Sequence, residues 1–206
     1  MEWHKTTLET LSVIDQQIGS HSSSPAEYEI LRQVIQATAD YEYQNVLRFS
    51  NSALQAGASA IANRLPIIVD TSIVMAGIMP KVRATFANPV FCAAETSTRP
   101  QQERSAIDWG METLLKRYPE AIAVVSESSA ALDTVLNLAE PGEIEPALII
   151  GVSSSFSPTD YSKQRLHKSP FANIYTEGFK GNALVAIAVI NVLLELTWEA
   201  QNNNRP

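Results

Sequence analysis

Pro66-Ile67-Ile68-Val69-Asp70 is a short, unbroken apolar run that ends on a carboxylate, and the reading of the whole chain turns on it. Four runs of similar make-up follow, at Val82 to Phe86, Ala121 to Val125, Ala147 to Ile150 and Ala172 to Tyr175. A continuous apolar run of this length suits a strand covered on both faces, where no side chain meets water. Between the later runs lie stretches of helical character, Arg104 to Arg117, Ser129 to Leu138 and Asn182 to Glu199. Strand alternating with helix implies right-handed crossovers and a parallel sheet, so the chain reads as α/β with five parallel strands.

Upstream of Pro66 the pattern is helical. Leu8, Leu11, Ile14 and Ile18 recur at three- and four-residue spacing, and Gly19-Ser20-His21-Ser22-Ser23-Ser24 then breaks the pattern. Pro25 fits the first turn of a second helix, which carries Ile30, Leu31, Val34 and Ile35 and runs to about Thr38. Ala and Gln between Ser52 and Ala62 favour a third. No fixed-period repeat, second core or internal linker interrupts the chain. It reads as one domain over residues 1–206, with extra helices at its N-terminus and a disordered tail at 200–206.

Bulk composition narrows the partners. The 206 residues are 45% hydrophobic and 18% charged, an ordinary globular balance. A net charge of -7 and the lack of any long Lys/Arg run argue against nucleic acid or an anionic membrane surface. Cys92 is the only cysteine, which rules out an intramolecular disulfide or a two-cysteine metal site. His4, His21 and His167 are too scattered for a zinc site. The start of the chain has no basic segment followed by an apolar one, and Ala183 to Leu194 is shorter than a membrane span, so a cytoplasmic protein is expected. P-loop, dinucleotide and nucleophile-elbow fingerprints are absent from the sequence.

Ligands of open α/β sheets bind beyond the carboxyl ends of the strands. Those ends here are Asp70-Thr71-Ser72, Ser126-Glu127-Ser128-Ser129, Gly151-Val152-Ser153-Ser154-Ser155-Phe156 and Thr176-Glu177-Gly178-Phe179-Lys180-Gly181-Asn182. They are rich in hydroxyls and backbone N–H groups, and two lead into helices, whose N-termini favour anions; a carboxylate-bearing ligand suits them. Helix capping by Ser128, Ser129 and Asn182 is the competing account.

Five motifs in register over about Thr7 to Leu194 resemble the precorrin-8X methylmutases of cobalamin synthesis. They are Val34-Ile35-Gln36-Ala37-Thr38-Ala39-Asp40, Leu47-Arg48-Phe49-Ser50, the run from Pro66 through Val74 to Gly77-Ile78, Pro146 to Val152, and Gly178 through Gly181 to Asn191. The resemblance implies a flavodoxin-like three-layer α/β/α fold, a homodimer with the site near the subunit interface, and no metal or organic cofactor. It also implies an isomerase acting on a corrinoid or other tetrapyrrole, moving a methyl group from C11 to C12 to give hydrogenobyrinic acid or its cobalt counterpart.

The departures from the family pattern are specific. Where the family has His-Ala-Thr-Gly-Asp, this chain has Gln36 to Asp40, and the resemblance assigns that histidine the protonation of a ring nitrogen. Glutamine has no titratable proton near neutral pH and cannot be a general acid. His167, Tyr41 and Tyr43 are the replacement candidates. Glu127 adds a carboxylate where a polyanionic corrinoid is expected, and the closing element loses a basic residue, a glycine and a serine at Glu177 to Ala183. The family's Thr-Arg-Ser-Ala survives as Glu103-Arg104-Ser105-Ala106. The candidate site is therefore Gln36 at the catalytic position, with Thr38, Asp70, Thr71, Arg104, Ser126, Glu127, Ser128, Gly151, Ser153, Ser154, Gly178, Lys180, Gly181 and Asn182 around the substrate. A non-catalytic tetrapyrrole carrier or regulator is the alternative function.

Overall fold

The computed structural model describes residues 5–96, 104–157 and 161–203. Three helices lead into the sheet: α1 (Lys5–Ile18), α2 (Pro25–Thr38) and the single turn α3 (Tyr43–Val46). Ser24 starts α2 with a reciprocal cap, its hydroxyl accepting from the Glu27 amide while the Glu27 carboxylate accepts from the Ser24 amide. The rest alternates: β1 (Leu47–Phe49), α4 (Ala53–Ala62), β2 (Ile67–Val69), α5 (Ser72–Ala84), β3 (Val90–Cys92), α6 (Ala106–Arg117), β4 (Ile122–Val125), α7 (Ser129–Ala139), β5 (Leu148–Gly151), α8 (Ser162–Lys168), β6 (Asn173–Thr176) and α9 (Ala183–Asn203).

The sheet has six strands in the order β1-β6-β5-β4-β2-β3. From β3 to β6 every neighbour is parallel, and this is the flavodoxin-like order, with its reversal of winding between β2 and β4. β1 is the exception, pairing antiparallel with β6, Arg48 opposite Tyr175. The sheet is therefore mixed and six-stranded, where the sequence suggested five parallel strands.

Strand alternation divides the core in two. Ile67, Val69, Ile122, Val124, Leu148 and Ile150 face one layer, with α1, α2, α4, α5 and α9. Ile68, Ala123, Val125, Ile149 and Tyr175 face the other, with α6, α7 and α8. These side chains are almost fully buried on both faces, as the unbroken apolar runs require.

Val82 to Phe86 is not a strand. Val74, Ile78 and Val82 recur every fourth residue and are buried on one side of α5, which continues through Pro80; Phe86 lies in the turn that follows. The strand of this region is β3, eight residues later. At the other end, α9 runs to Asn203, so the expected tail is helical over 200–203, and 204–206 lie outside the described residues. α9 has the length and hydropathy of a membrane span, yet it packs against α2, α4 and α5 as a core helix.

Candidate functional site

The carboxyl ends of the strands are held by one buried carboxylate. Asp70 is fully buried beyond β2, and its oxygens accept from the Ser126 amide (2.7 Å), the Glu127 amide (2.8 Å) and the Ser126 hydroxyl (2.8 Å). This clamp ties β2 to β4 across the point where the winding reverses, and it leaves Asp70 nothing to offer a ligand. The Glu127 side chain is exposed beside it. Ser128 caps α7, accepting from the Ala131 amide at 3.1 Å and donating to Asp108 at 3.2 Å. Thr71 and Ser153 are buried here with hydroxyls that have no partner among the described residues. Gly151 is glycine for packing: a Cβ would stand 2.6 Å from Leu166.

A second group of candidates lines a cleft of about 610 Å³ between the loop after β6 and the turn after α2. Ser154, Gly178, Lys180, Gly181 and Asn182 meet Asp40, Glu42, Tyr43, Phe156 and Phe179 there. Gly181 has φ 149°, and a Cβ would lie 2.0 Å from the Val152 carbonyl oxygen, so only glycine lets this loop close on the end of β5. Asn182 caps α9, its side-chain oxygen accepting from the amides of Leu184 (2.9 Å) and Val185 (3.2 Å). Lys180 bridges Asp40 and Glu42, and its ammonium lies 5.9 Å from the Tyr43 ring. The Lys180 hydrogen bond holds the Asp40 carboxyl below the usual carboxylate range, and the same contact pushes the Lys180 ammonium up. Lys163, buried on α8, braces the loop from behind by donating to the Lys180 carbonyl at 3.2 Å.

Gln36 lies elsewhere on the same helix layer. It lines a groove of about 320 Å³ with Gln33, Ala37, Lys81, Leu184, Ile187, Ala188, Asn191, Val192 and Glu195, between α2, α5 and α9. It also borders a hollow with Tyr41. Its amide has no hydrogen-bond partner among the described residues. The groove and the cleft adjoin along the chain: Ala37 and Leu184 line the first, Asp40 and Asn182 the second. Thr38 is turned back on its own helix, donating to the Val34 carbonyl at 2.8 Å.

Two candidates stand apart. Arg104 precedes α6, which begins at Ala106 with Ser105 as its cap, and its guanidinium pairs with Glu112, reaches the Thr134 hydroxyl at 3.4 Å and lies over Trp109. Its motif neighbour Glu103 lies outside the described residues. His167 is exposed in the last turn of α8, beside the Tyr175 ring, and borders neither Gln36 cavity. Among the replacement acids, Tyr41 is at the Gln36 hollow and Tyr43 at the cleft, where burial pushes its phenol up and weakens it as a proton donor.

Sequence reading did not single out Asn191 and Glu42, which line these cavities, or Lys163, which braces the loop beside them. Asn191 was visible as the one polar residue in an otherwise apolar stretch of helix. The other two depend on loops folding onto each other and leave no local signal.

Kinship runs the length of this arrangement. Residues 7–196 match the family model of precorrin-8X methylmutase, CbiC. A cobalt-precorrin-8 methylmutase of Synechocystis is 32% identical over 209 residues, covering 95% of this chain and 96% of that protein. One from Methanocaldococcus jannaschii is 33% identical over 169 residues, covering 82% and 79%. The crystal structure of a precorrin-8X methylmutase from Thermus thermophilus superposes with a TM-score of 0.85 at 27% identity, over 96% of this chain and 99% of that one. Sequence and backbone agree over nearly every described element, and the chain belongs to the precorrin-8X methylmutase family.

Proposed function

We propose that this chain binds a corrinoid precursor along the Gln36 groove and the adjoining Lys180 cleft, and that it is an isomerase of the family's methyl-shift reaction slowed by the loss of its acid. The observation that carries the proposal is Gln36 itself. It borders the groove with its amide uncommitted, available to a ligand but unable to deliver a proton. The groove has mostly apolar walls and a few polar groups, the usual make-up of a small-molecule site.

The cleft supplies Lys180, although Asp40 and Glu42 already hold it. A ligand carboxylate has to compete for that cation, which favours binding at the cleft edge over tight capture. A homodimer completes the proposal. Leu184 is 49% exposed and Ile73 59% exposed. The Gly77–Asn191 and Lys81–Glu195 contacts share one offset in sequence, so α5 and α9 run parallel and Ile73 lies at the level of Ile187. A second copy covering Leu184 and Ile73 would close the open side of the groove.

The second reading, a tetrapyrrole carrier or regulator without catalysis, is favoured by the distance of His167 from the groove and by the raised Tyr43 phenol. Titration with hydrogenobyrinic acid, followed through its visible absorption bands, tests binding under both readings. A saturable spectral shift is expected, and its absence overturns the proposal.

A further inference from the structure

Two loops face each other across the cleft, and one cation joins them. The Lys180 ammonium, on the loop after β6, pairs with Asp40 and Glu42, on the turn after α2. Its two partners are held differently. Asp40 accepts from Lys180 through one oxygen and from the Glu42 amide through the other at 2.9 Å, and its side chain is 33% exposed. The Glu42 side chain is 60% exposed and has Lys180 as its only partner among the described residues. Glu177, the third carboxylate of the cleft, is paired with Arg48 at 2.8 Å and does not compete. Lys180 is fixed at its backbone, where the carbonyl accepts from the Thr176 hydroxyl at 2.6 Å and from Lys163 at 3.2 Å. An anion approaching this cation therefore meets one displaceable group, the Glu42 carboxylate.

The neighbouring surface is apolar. Phe179, next to Lys180 in sequence, is 61% exposed and Phe156 is 84% exposed, and their rings stack 5.9 Å apart at the cleft. The Ser155 amide donates to the Phe179 carbonyl at 3.2 Å and ties together the two loops that carry the rings. Two large rings left in water beside a cation suit a ligand whose carboxylate hangs from an apolar, conjugated body. We infer that Glu42 occupies the place of a ligand carboxylate on Lys180, and that binding exchanges the one for the other while Asp40 stays. An exposed ion pair contributes little, so it gives way to a ligand and lowers affinity only severalfold. The inference rests on the corrinoid reading and assigns one peripheral carboxylate of the ring to Lys180, with Glu42 as its competitor.

The test is titration at low ionic strength of wild type, Glu42→Gln, Lys180→Met and the double variant, with hydrogenobyrinic acid and with its cobalt counterpart. Glu42→Gln is expected to bind each about threefold more tightly, and the same substitution on Lys180→Met to give no such gain. Glu42 is exposed, so glutamine there leaves the fold intact. Binding lost outright in folded Lys180→Met, together with the gain in Glu42→Gln, supports the same contact. Unchanged or weaker binding by Glu42→Gln overturns the inference and spares the corrinoid reading. An equal gain with and without Lys180 also overturns it, because removal of a nearby negative charge then accounts for the effect. Failure of wild type and Glu42→Gln to bind either corrinoid overturns the corrinoid reading, and the inference with it.

Discussion

The Asp70 clamp between β2 and β4 and the groove between α2 and α9 both contain buried polar groups, but they use them in opposite ways. Asp70 has three donors within 2.8 Å. Among the described residues, Asn191 has an oxygen with none, and Gln36 across from it has an amide without a partner. Polar groups that hold a fold together are saturated within it, because an unmet donor or acceptor in the interior costs about 1–3 kcal/mol. Groups left open at a cavity are the better markers of a ligand. By that measure Asp70 and Ser126 are structural, whereas Thr71 and Ser153 at the strand ends and Asn191 at the groove are the groups left open.

The largest expected effect breaks the saturated region. Asp70→Ala removes three hydrogen bonds to a buried charge and should cost at least ~3 kcal/mol, read as a lowered denaturant midpoint at unchanged slope. A loss below ~1 kcal/mol would erase the contrast with the groove. A smaller change of opposite sign is expected beside Gln36. Ala39 closes α2 in the left-handed region at φ 54°, where the family pattern carries glycine, and it is exposed, so no packing is lost on truncation. Ala39→Gly should stabilise the protein by about 1 kcal/mol, and a destabilised variant would show that the helix end relaxes differently.

The smallest effect concerns the Lys180 bridge. The Asp40 carboxyl is lowered by Lys180, so its contribution is complete above the unfolded aspartate value and is lost as pH falls through the folded one. Lys180 is raised by Asp40 and Glu42, so its contribution is present below the unfolded lysine value and is lost as pH rises through the folded one. Lys180→Met should therefore lose less stability than wild type as pH falls from neutral through the folded Asp40 value. Identical acid limbs would mean that the bridge contributes nothing.

Most of the fold was legible because its signals are local. Ile67 to Val69, Ile122 to Val125 and Leu148 to Gly151 are buried on both faces and read as unbroken apolar runs. β1 and β3 were missed because three residues at a sheet edge carry too little pattern. The end of α5 was misread because Val82 to Phe86 looks like a short strand run. In fact Gly77 admits Ile187 at the crossing with α9, where a Cβ would stand 2.4 Å from its side chain, and the Val74, Ile78, Val82 repeat carries the helix past the proline. The loop residues Gly178 to Asn182 line one cleft together, since they follow one strand end. Nothing local connects Gln36 to Asn191; only packing of α2 against α9 brings them to one groove.

The central claim is that the groove keeps its ligand position and has lost its acid, and single-turnover conversion of precorrin-8 by wild type and Gln36→His tests it most directly. Catalysis by a positioned acid is commonly worth ~10² to 10⁴ in rate, so the histidine variant should gain at least about a hundredfold over a slow or silent wild type. A wild-type rate already equal to that of Gln36→His, and unchanged in Gln36→Ala, would contradict the account and place the proton donor elsewhere.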